Sequence, residues 1–380
     1  MIIIYIKNNR FKRWKATSGI MKRDVFLDRF GGIYVPLVNP YDTLDSFNTP
    51  YPLDPMGILV PSLNAVVNQV IGLGDSLDET CLPLVDGILV NGETGEFRNM
   101  DRDLRKHNLA LVVEYVASRV PVVANVTDNW RLGSSYWVFN RTKMNIDDAV
   151  GVGADAVLVC PLYYEGITNA SAGELLLRLA DYSPLPLVIY NNPGIHNNKL
   201  GYNISPRLVA HLSKHPNIVG IKDSSGDIKY FRRLMGKVDS EGGDYFKIFQ
   251  GSEKRVFDSF SGDRKPDGIV PSMSNIAPEF VRAFYDAMVD PSVDLNDKFN
   301  LQMSMDLAGR LVYGTDYSHI TAGIKDVLFK RGVISDREMI DGSHLDIGRL
   351  NRFRFNLLTS KNQGTVAKTI LRLFDCFKVA

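Results

Sequence analysis

The residues best placed to do covalent chemistry lie in Ile218-Val219-Gly220-Ile221-Lys222-Asp223-Ser224-Ser225-Gly226-Asp227. The apolar run Ile218 to Ile221 reads as a short buried strand. It ends on a lysine, and a polar turn bearing a glycine follows at once. Burying an unpaired ammonium is costly. Losing the proton lowers that cost, and a desolvated amine is a nucleophile able to form a Schiff base with a carbonyl substrate. Taken alone, the stretch favours a plainer reading, in which Lys222 snorkels to water or pairs with Asp223. The rest of the chain reverses that preference.

Three other groups of residues fit the same chemistry. Tyr190 closes the apolar run Pro186 to Tyr190. A tyrosine hydroxyl beside an amine nucleophile can move protons as a carbinolamine forms and collapses. Gly92-Glu93-Thr94-Gly95 offers backbone donors and a hydroxyl suited to a carboxylate or a relayed proton. Tyr163-Tyr164, after the run Ala154 to Cys160, would extend that relay. Each is commonplace alone, because tyrosines pack at strand ends and Gly-x-x-Gly turns recur widely. Their force comes from being on one rim.

The elements that would put them there alternate along the chain. Strand signals fall at Ile33 to Val38, Asp86 to Val90, Pro121 to Val126, Ala154 to Cys160, Pro186 to Tyr190, Ile218 to Lys222, Phe246 to Phe249 and Gly268 to Val270. Helical spacing fills Asp101 to Arg119, Ile146 to Val152, Ser171 to Tyr182, Ser205 to Lys214, Ile228 to Val238, Val256 to Phe260 and Pro278 to Val289. Leu63 to Leu73 adds a helix inside a Pro-, Asp- and Ser-rich segment over 41–83. The strands are near-continuous Val/Ile/Leu runs, as in a parallel sheet buried on both faces. Eight such units in about 260 residues predict a (β/α)8 TIM barrel. A doubly wound sheet is the rival, but no Gly-x-Gly-x-x-Gly follows the first strand. A barrel places its site at the C-terminal strand ends, which selects Thr94, Asp128, Tyr163, Tyr164, Tyr190, Lys222, Gly251, Glu253 and Ser272. The expected organisation is an N-terminal extension over 1–31, the barrel over 32–290 and a helical region over 291–380. Residues 1 to about 30 show no clear period, and 127–141 reads as an unusually long loop.

Composition narrows the partners. The chain has 380 residues, is 45% hydrophobic and carries a formal net charge of +1. That gives no electrostatic reason to expect nucleic acid or an anionic membrane. Cys81, Cys160 and Cys376 form neither a metal pattern nor a disulfide framework, which fits a reducing compartment. Met1 to Ile6 is apolar but too short to span a bilayer, and its charges follow rather than precede it, so no secretory signal is expected. The expected location is the cytoplasm. His211 and His215 have the i, i+4 spacing of metal ligands, but no Glu lies between them and Pro216 ends the helix. No metal and no cofactor are expected. His196 is a loop histidine with no partner visible in sequence.

Five blocks, in order, resemble the pyruvate-dependent class I aldolase family that includes dihydrodipicolinate synthase and N-acetylneuraminate lyase. They are Gly92-Glu93-Thr94-Gly95-Glu96, Pro161-Leu162-Tyr163-Tyr164, Tyr190-Asn191-Asn192-Pro193, Gly220 to Asp227, and Gly268-Ile269-Val270 through Asn275. The resemblance spans roughly residues 32 to 335, and its most specific part is the pair of blocks carrying Tyr190 and Lys222. It implies that Lys222 forms the Schiff base with a 2-oxo acid and that Tyr190 is the acid/base. It implies that Thr94, with the backbone beside it, holds the substrate carboxylate and that Val270 contacts the bound keto acid. Gly92 and Glu93 belong to the same binding turn. Tyr164 matches a tyrosine lent across a dimer interface, and Gly251, Glu253 and Ser272 match positions that touch the far end of sugar-acid substrates. A homo-oligomer, dimer or tetramer, is implied as well.

Two departures qualify the resemblance. Glu93 stands where the family usually has Thr or Ser, which removes a hydroxyl and places a carboxylate near the site. Ile195 stands where dihydrodipicolinate synthases carry a carboxylate-gripping arginine. The resulting expectation is a lyase that cleaves or forms a 2-keto-3-deoxy sugar acid or related 2-oxo acid, with pyruvate as one half. A synthase or dehydratase of the same family is the second reading. A keto-acid-binding barrel without turnover is the third, favoured by Glu93 and opposed by the retained Lys222 and Tyr190.

Overall fold

The structure is a computed structural model that describes residues 23–40, 60–72, 83–127, 135–161, 167–196, 203–314, 317 and 319–334. Its strands are the apolar runs read above: β1 Gly32–Pro36, β2 Gly87–Val90, β3 Val122–Asn125, β4 Ala156–Val159, β5 Leu187–Asn191, β6 Ile218–Asp223, β7 Lys247–Gln250 and β8 Gly268–Ile269. Each pairs in parallel with the next, and β8 returns to β1, so the sheet closes as an eight-stranded barrel. Helix α1 Arg23–Arg29 precedes it. Helices α2 Val60–Ile71, α3 Arg102–Val116, α4 Ser135–Val152, α5 Asn169–Tyr182, α6 Pro206–Leu212, α7 Ile228–Glu241, α8 Val256–Phe260 and α9 Pro278–Val289 each follow one strand. Then come α10 Leu295–Tyr313 and α11 Ile320–Lys330. This is the expected (β/α)8 TIM barrel with helices after it. Among the described residues no helix is long and apolar enough to cross a membrane.

Local chemistry starts the helices that matter for the site. Ser224-Ser225-Gly226 turns the chain out of β6, with Gly226 at φ +70°. Asp227 then accepts from the amides of Lys229 and Tyr230, at 2.8 and 3.0 Å, and caps α7. Such a cap satisfies amides that the first helical turn leaves without partners.

Aromatic rings close the lower barrel. Phe30, Tyr34 and Phe249 pack together with ring centroids 4.6–5.5 Å apart. Three glycines give them room. A Cβ on Gly87 would meet the Tyr34 ring at 2.2 Å, one on Gly220 would meet Phe30 at 2.8 Å, and one on Gly268 would meet Phe249 at 2.4 Å. Phe26 on α1 stacks on Phe30 at 4.8 Å and is fully buried. The end of the segment read as a periodless extension is thus a helix that covers this plug. Seven residues are too few to show a helical period.

Two other elements differ from expectation. Helix α4 begins at Ser135, inside the segment read as a loop over 127–141. Its inner face is Val138, Thr142, Ile146 and Ala149, all buried. On its outer side Phe139 lies 4.1 Å from the Arg178 guanidinium, and Trp137 and Met144 are exposed. Aromatic residues on the outer side mask the period. Helix α6 ends at Leu212, so His215 is not on a helix with His211. The His215 ring accepts from the Asn217 amide at 3.1 Å and lies 3.1 Å from Asp181.

Candidate active site

Lys222 and Tyr190 meet because β5 and β6 pair in register at those two positions. The Lys222 ammonium lies 4.3 Å from the centre of the Tyr190 ring. Both side chains are buried, with Lys222 7% exposed and Tyr190 4%. Below them the stem of Lys222 lines a cavity shared with Phe30, Tyr34, Leu89, Val123, Leu158, Val188, Phe249 and Val270. This apolar wall strips water from the amine. Desolvation is the leading cause that lowers the Lys222 pKa to about 8, while the charges of Glu93 and Cys160 pull it back up. A buried amine with that pKa is partly neutral near physiological pH.

Tyr190 shifts in the opposite sense. Burial raises its pKa, Glu93 and Cys160 raise it further, and hydrogen bonds with Ser224 and Asn192 lower it. The net direction is strongly upward, so its hydroxyl stays protonated. The Asn192 amide donates to that hydroxyl at 2.8 Å. Ser224 and Asn192 were not singled out from sequence, although each lies within two residues of a named one. Gly251 keeps Ser224 in place, since a Cβ there would meet the Ser224 hydroxyl at 2.2 Å. The Gly251 amide also donates to Asp223 O at 2.7 Å. Asp223 does not pair with Lys222 among the hydrogen bonds described. It accepts from Asn191 at 2.6 Å and Ser225 at 2.8 Å, and burial pushes its pKa up to about 6. The plainer alternative of a Lys222–Asp223 ion pair is therefore set aside.

The Gly92–Glu96 turn leaves β2 through Asn91, at φ +58°. A buried amide cluster supports it. Asn108 donates to Asn39 and Asn91 at 3.1 and 2.9 Å, Asn125 donates to Asn91 O at 2.7 Å, and Asn39 donates to Gly95 O at 2.7 Å. The amides of Glu96 and Phe97 bond back to Glu93 O and Gly92 O. Thr94 is buried, and its hydroxyl lies 3.3 Å from that of Ser272 on the turn after β8. Glu93 is half-buried and pairs with Arg98 at 3.2 Å.

Glu253, after β7, is buried and holds the Met273 amide at 2.7 Å. Burial pushes its pKa up to about 7. Its other carboxylate oxygen has no partner within the described residues. Val270 follows β8 and is buried against the Lys222 cavity. The structure thus brings Lys222 and Tyr190 together directly, and joins Thr94 to Ser272 and Glu253 to the Ser272–Asn275 turn. Tyr163, Tyr164 and Asp128 lie outside the described residues, as do the side chains of Ile195 and His196. Among the described residues no three His, Cys, Asp or Glu side chains cluster as a metal site.

The sequence matches the model of the dihydrodipicolinate synthetase family over residues 83–338. The chain belongs to that family. Solved structures of similar fold include dihydrodipicolinate synthase from Bacteroides thetaiotaomicron, 23% identical, with a TM-score of 0.65, covering 91% of this chain and 98% of that one. The Thermotoga maritima dihydrodipicolinate synthase is 20% identical with a TM-score of 0.66, covering 92% and 99%. A prophage protein of the dihydrodipicolinic acid synthase family from E. coli K12, solved in complex with pyruvate, is 22% identical with a TM-score of 0.66, covering 87% and 98%. At these identities the likeness is one of fold. Within this member of the dihydrodipicolinate synthetase family, Lys222 and Tyr190 are the buried pair that meets at the C-terminal ends of β6 and β5.

Proposed function

We propose that this protein is a Schiff-base-forming lyase that cleaves or forms a 2-keto-3-deoxy sugar acid or related 2-oxo acid, with pyruvate as one half. The observation that carries this reading is the buried Lys222 amine, its pKa lowered to about 8, set 4.3 Å from the Tyr190 ring at the C-terminal ends of β6 and β5. Free amine is roughly a quarter of the population at pH 7.5 for a pKa near 8, against about one part in a thousand for an ordinary lysine.

In the proposed cleavage, the neutral Lys222 nitrogen adds to the keto carbon. Tyr190 gives its proton to the carbinolamine oxygen, water leaves and an iminium remains. The resulting phenolate takes the hydroxyl proton two carbons away from the iminium carbon as the C–C bond breaks. An aldehyde departs and the bonding electrons enter the enamine. Tyr190 then protonates the enamine carbon, and water releases pyruvate and the amine. The burial that holds Tyr190 protonated suits the first step, in which it donates. Thr94 and the adjacent amides would receive the carboxylate, with Val270 against the bound keto acid. Gly251, Glu253 and Ser272 would border the rest of the substrate. Tyr164 would be lent by a neighbouring subunit of a homo-oligomer. The family description supports a synthase reading too, but Ile195 in place of the arginine noted above disfavours it.

The test is pyruvate release from a panel of 2-keto-3-deoxy sugar acids. Wild-type protein is expected to release pyruvate from at least one, and Lys222→Ala to lose that activity by 1,000-fold or more, about 4 kcal/mol of transition-state stabilisation. Equal release by both proteins would remove Lys222 from the mechanism. Condensation of pyruvate with aspartate semialdehyde in place of any cleavage would select the synthase reading.

A further inference from the structure

We propose that helix α11, outside the barrel, is part of the substrate-carboxylate site, with Lys325 and Thr321 as positioning residues for the Gly92–Glu96 turn. The inference rests on the reading of that turn as the keto-acid carboxylate site. The turn is held from three sides. Asn39, after β1, binds Gly95 O, and Ser272, after β8, meets the Thr94 hydroxyl. The third side is α11. The Thr321 hydroxyl donates to Thr94 O at 3.2 Å. The Lys325 ammonium pairs with the Glu96 carboxylate, and the side chains are only 2% and 10% exposed.

Stability alone does not account for that pair. Desolvating two charges offsets most of their attraction, and an apolar pair of similar volume commonly serves as well. A buried ion pair is, however, specific about where its two ends sit. It joins residues 229 positions apart, one end in the turn and the other on α11. Glu96 stands in the left-handed region, at φ +55°, a conformation a non-glycine residue keeps only when its surroundings hold it. Lys325 supplies such a hold one residue beyond Gly95. The depth of α11 is itself set by contact. A Cβ on Gly323 would meet Val312 O of α10 at 1.9 Å, so α11 lies against the end of α10 with no space for a side chain. From that depth Thr321 and Lys325 fix two successive parts of the turn. The Thr94 and Gly95 amides, which the Glu96 and Phe97 turn bonds do not use, are then held for a ligand carboxylate.

Half-saturation of borohydride trapping by pyruvate tests this, read by peptide mass spectrometry at Lys222. Lys325→Met is expected to raise the half-saturating pyruvate concentration by roughly tenfold, and Thr321→Val by about threefold. Both should leave the maximal trapped fraction and the pH midpoint of trapping unchanged. Lys325→Arg should restore most of the loss. Lys330→Met removes a different ion pair on the same helix, with Asp326 at 2.6 Å, and should behave as wild type. Thr321→Val removes one hydroxyl and no charge, and so decides the matter if Lys325→Met does not fold. Wild-type half-saturation in folded Lys325→Met or Thr321→Val overturns the inference while the functional reading stands. An equal rise in Lys330→Met also overturns it, since helix stability would then be the cause. Wild-type protein that traps no pyruvate overturns both.

Discussion

At the residue scale, the site is held together against its own stability. Lys222 titrates near 8 in the folded chain and near 10.5 when exposed, so folding disfavours its charged form. The sign follows from proton counts. Between those values the unfolded chain binds more protons than the native one, and stability rises with pH. Below about pH 8 the cost is fully present, on the order of 3 kcal/mol. Lys222→Met, which keeps the length and drops the charge, is therefore expected to stabilise the protein by 1–3 kcal/mol, roughly, at pH 7. The gain should shrink as the pH is raised from 8 toward 10.5. Urea unfolding of both proteins at pH 7 and pH 10 measures it. A variant no more stable than wild type at pH 7 would mean that the amine is hydrated or paired. Lys222 and Tyr190 were legible in sequence because a charged or hydroxylated residue closing an apolar run stands out. Ser224 and Asn192 were not, because a serine and an asparagine in a turn look like turn chemistry until their side chains are seen on the Tyr190 hydroxyl.

At the element scale, the strands place the site and the glycines place the strands. Lys222 faces Phe249 across β6–β7 as it faces Tyr190 across β5–β6. The ring of Phe249 fits because Gly268 carries no side chain, since a Cβ there would fall 2.4 Å from that ring and 2.3 Å from Gly32 O. Gly268→Ala is expected to cost about 1–3 kcal/mol in urea unfolding, as overpacking of a closed core does. It should also raise the pH midpoint of Lys222 trapping, because a displaced Phe249 admits water beside the amine. Unchanged stability and midpoint would show that the aromatic plug is slack. The strand positions were readable from their apolar runs. The start of α4 was not, since its buried Val138 and Thr142 are interleaved with outward aromatics. Nor was α1, whose single buried aromatic, Phe26, gives no period.

At the scale of the whole molecule, closure of the barrel converts a linear series of strand ends into one rim. Counting eight βα units in sequence was enough to predict that rim and to put Thr94, Tyr190 and Lys222 on it. The contacts that tune it come from farther away. Lys325 reaches Glu96, and Asn275 reaches the Val38 amide at 3.0 Å, across separations of more than 200 positions. No local pattern in a single sequence signals such pairs, because each partner lies more than 200 positions from the other. Glu93 was noticed as a carboxylate where the family carries a hydroxyl, and its charge now acts on both Lys222 and Tyr190. The central claim is that all of this serves one nucleophilic amine. Borohydride reduction in the presence of pyruvate, across pH 6 to 10, tests it most directly. The account predicts a single pyruvate-sized adduct on Lys222, with a trapping rate that climbs with pH and levels off above a midpoint near 8. An adduct spread over surface lysines, or a midpoint above pH 10, would contradict it.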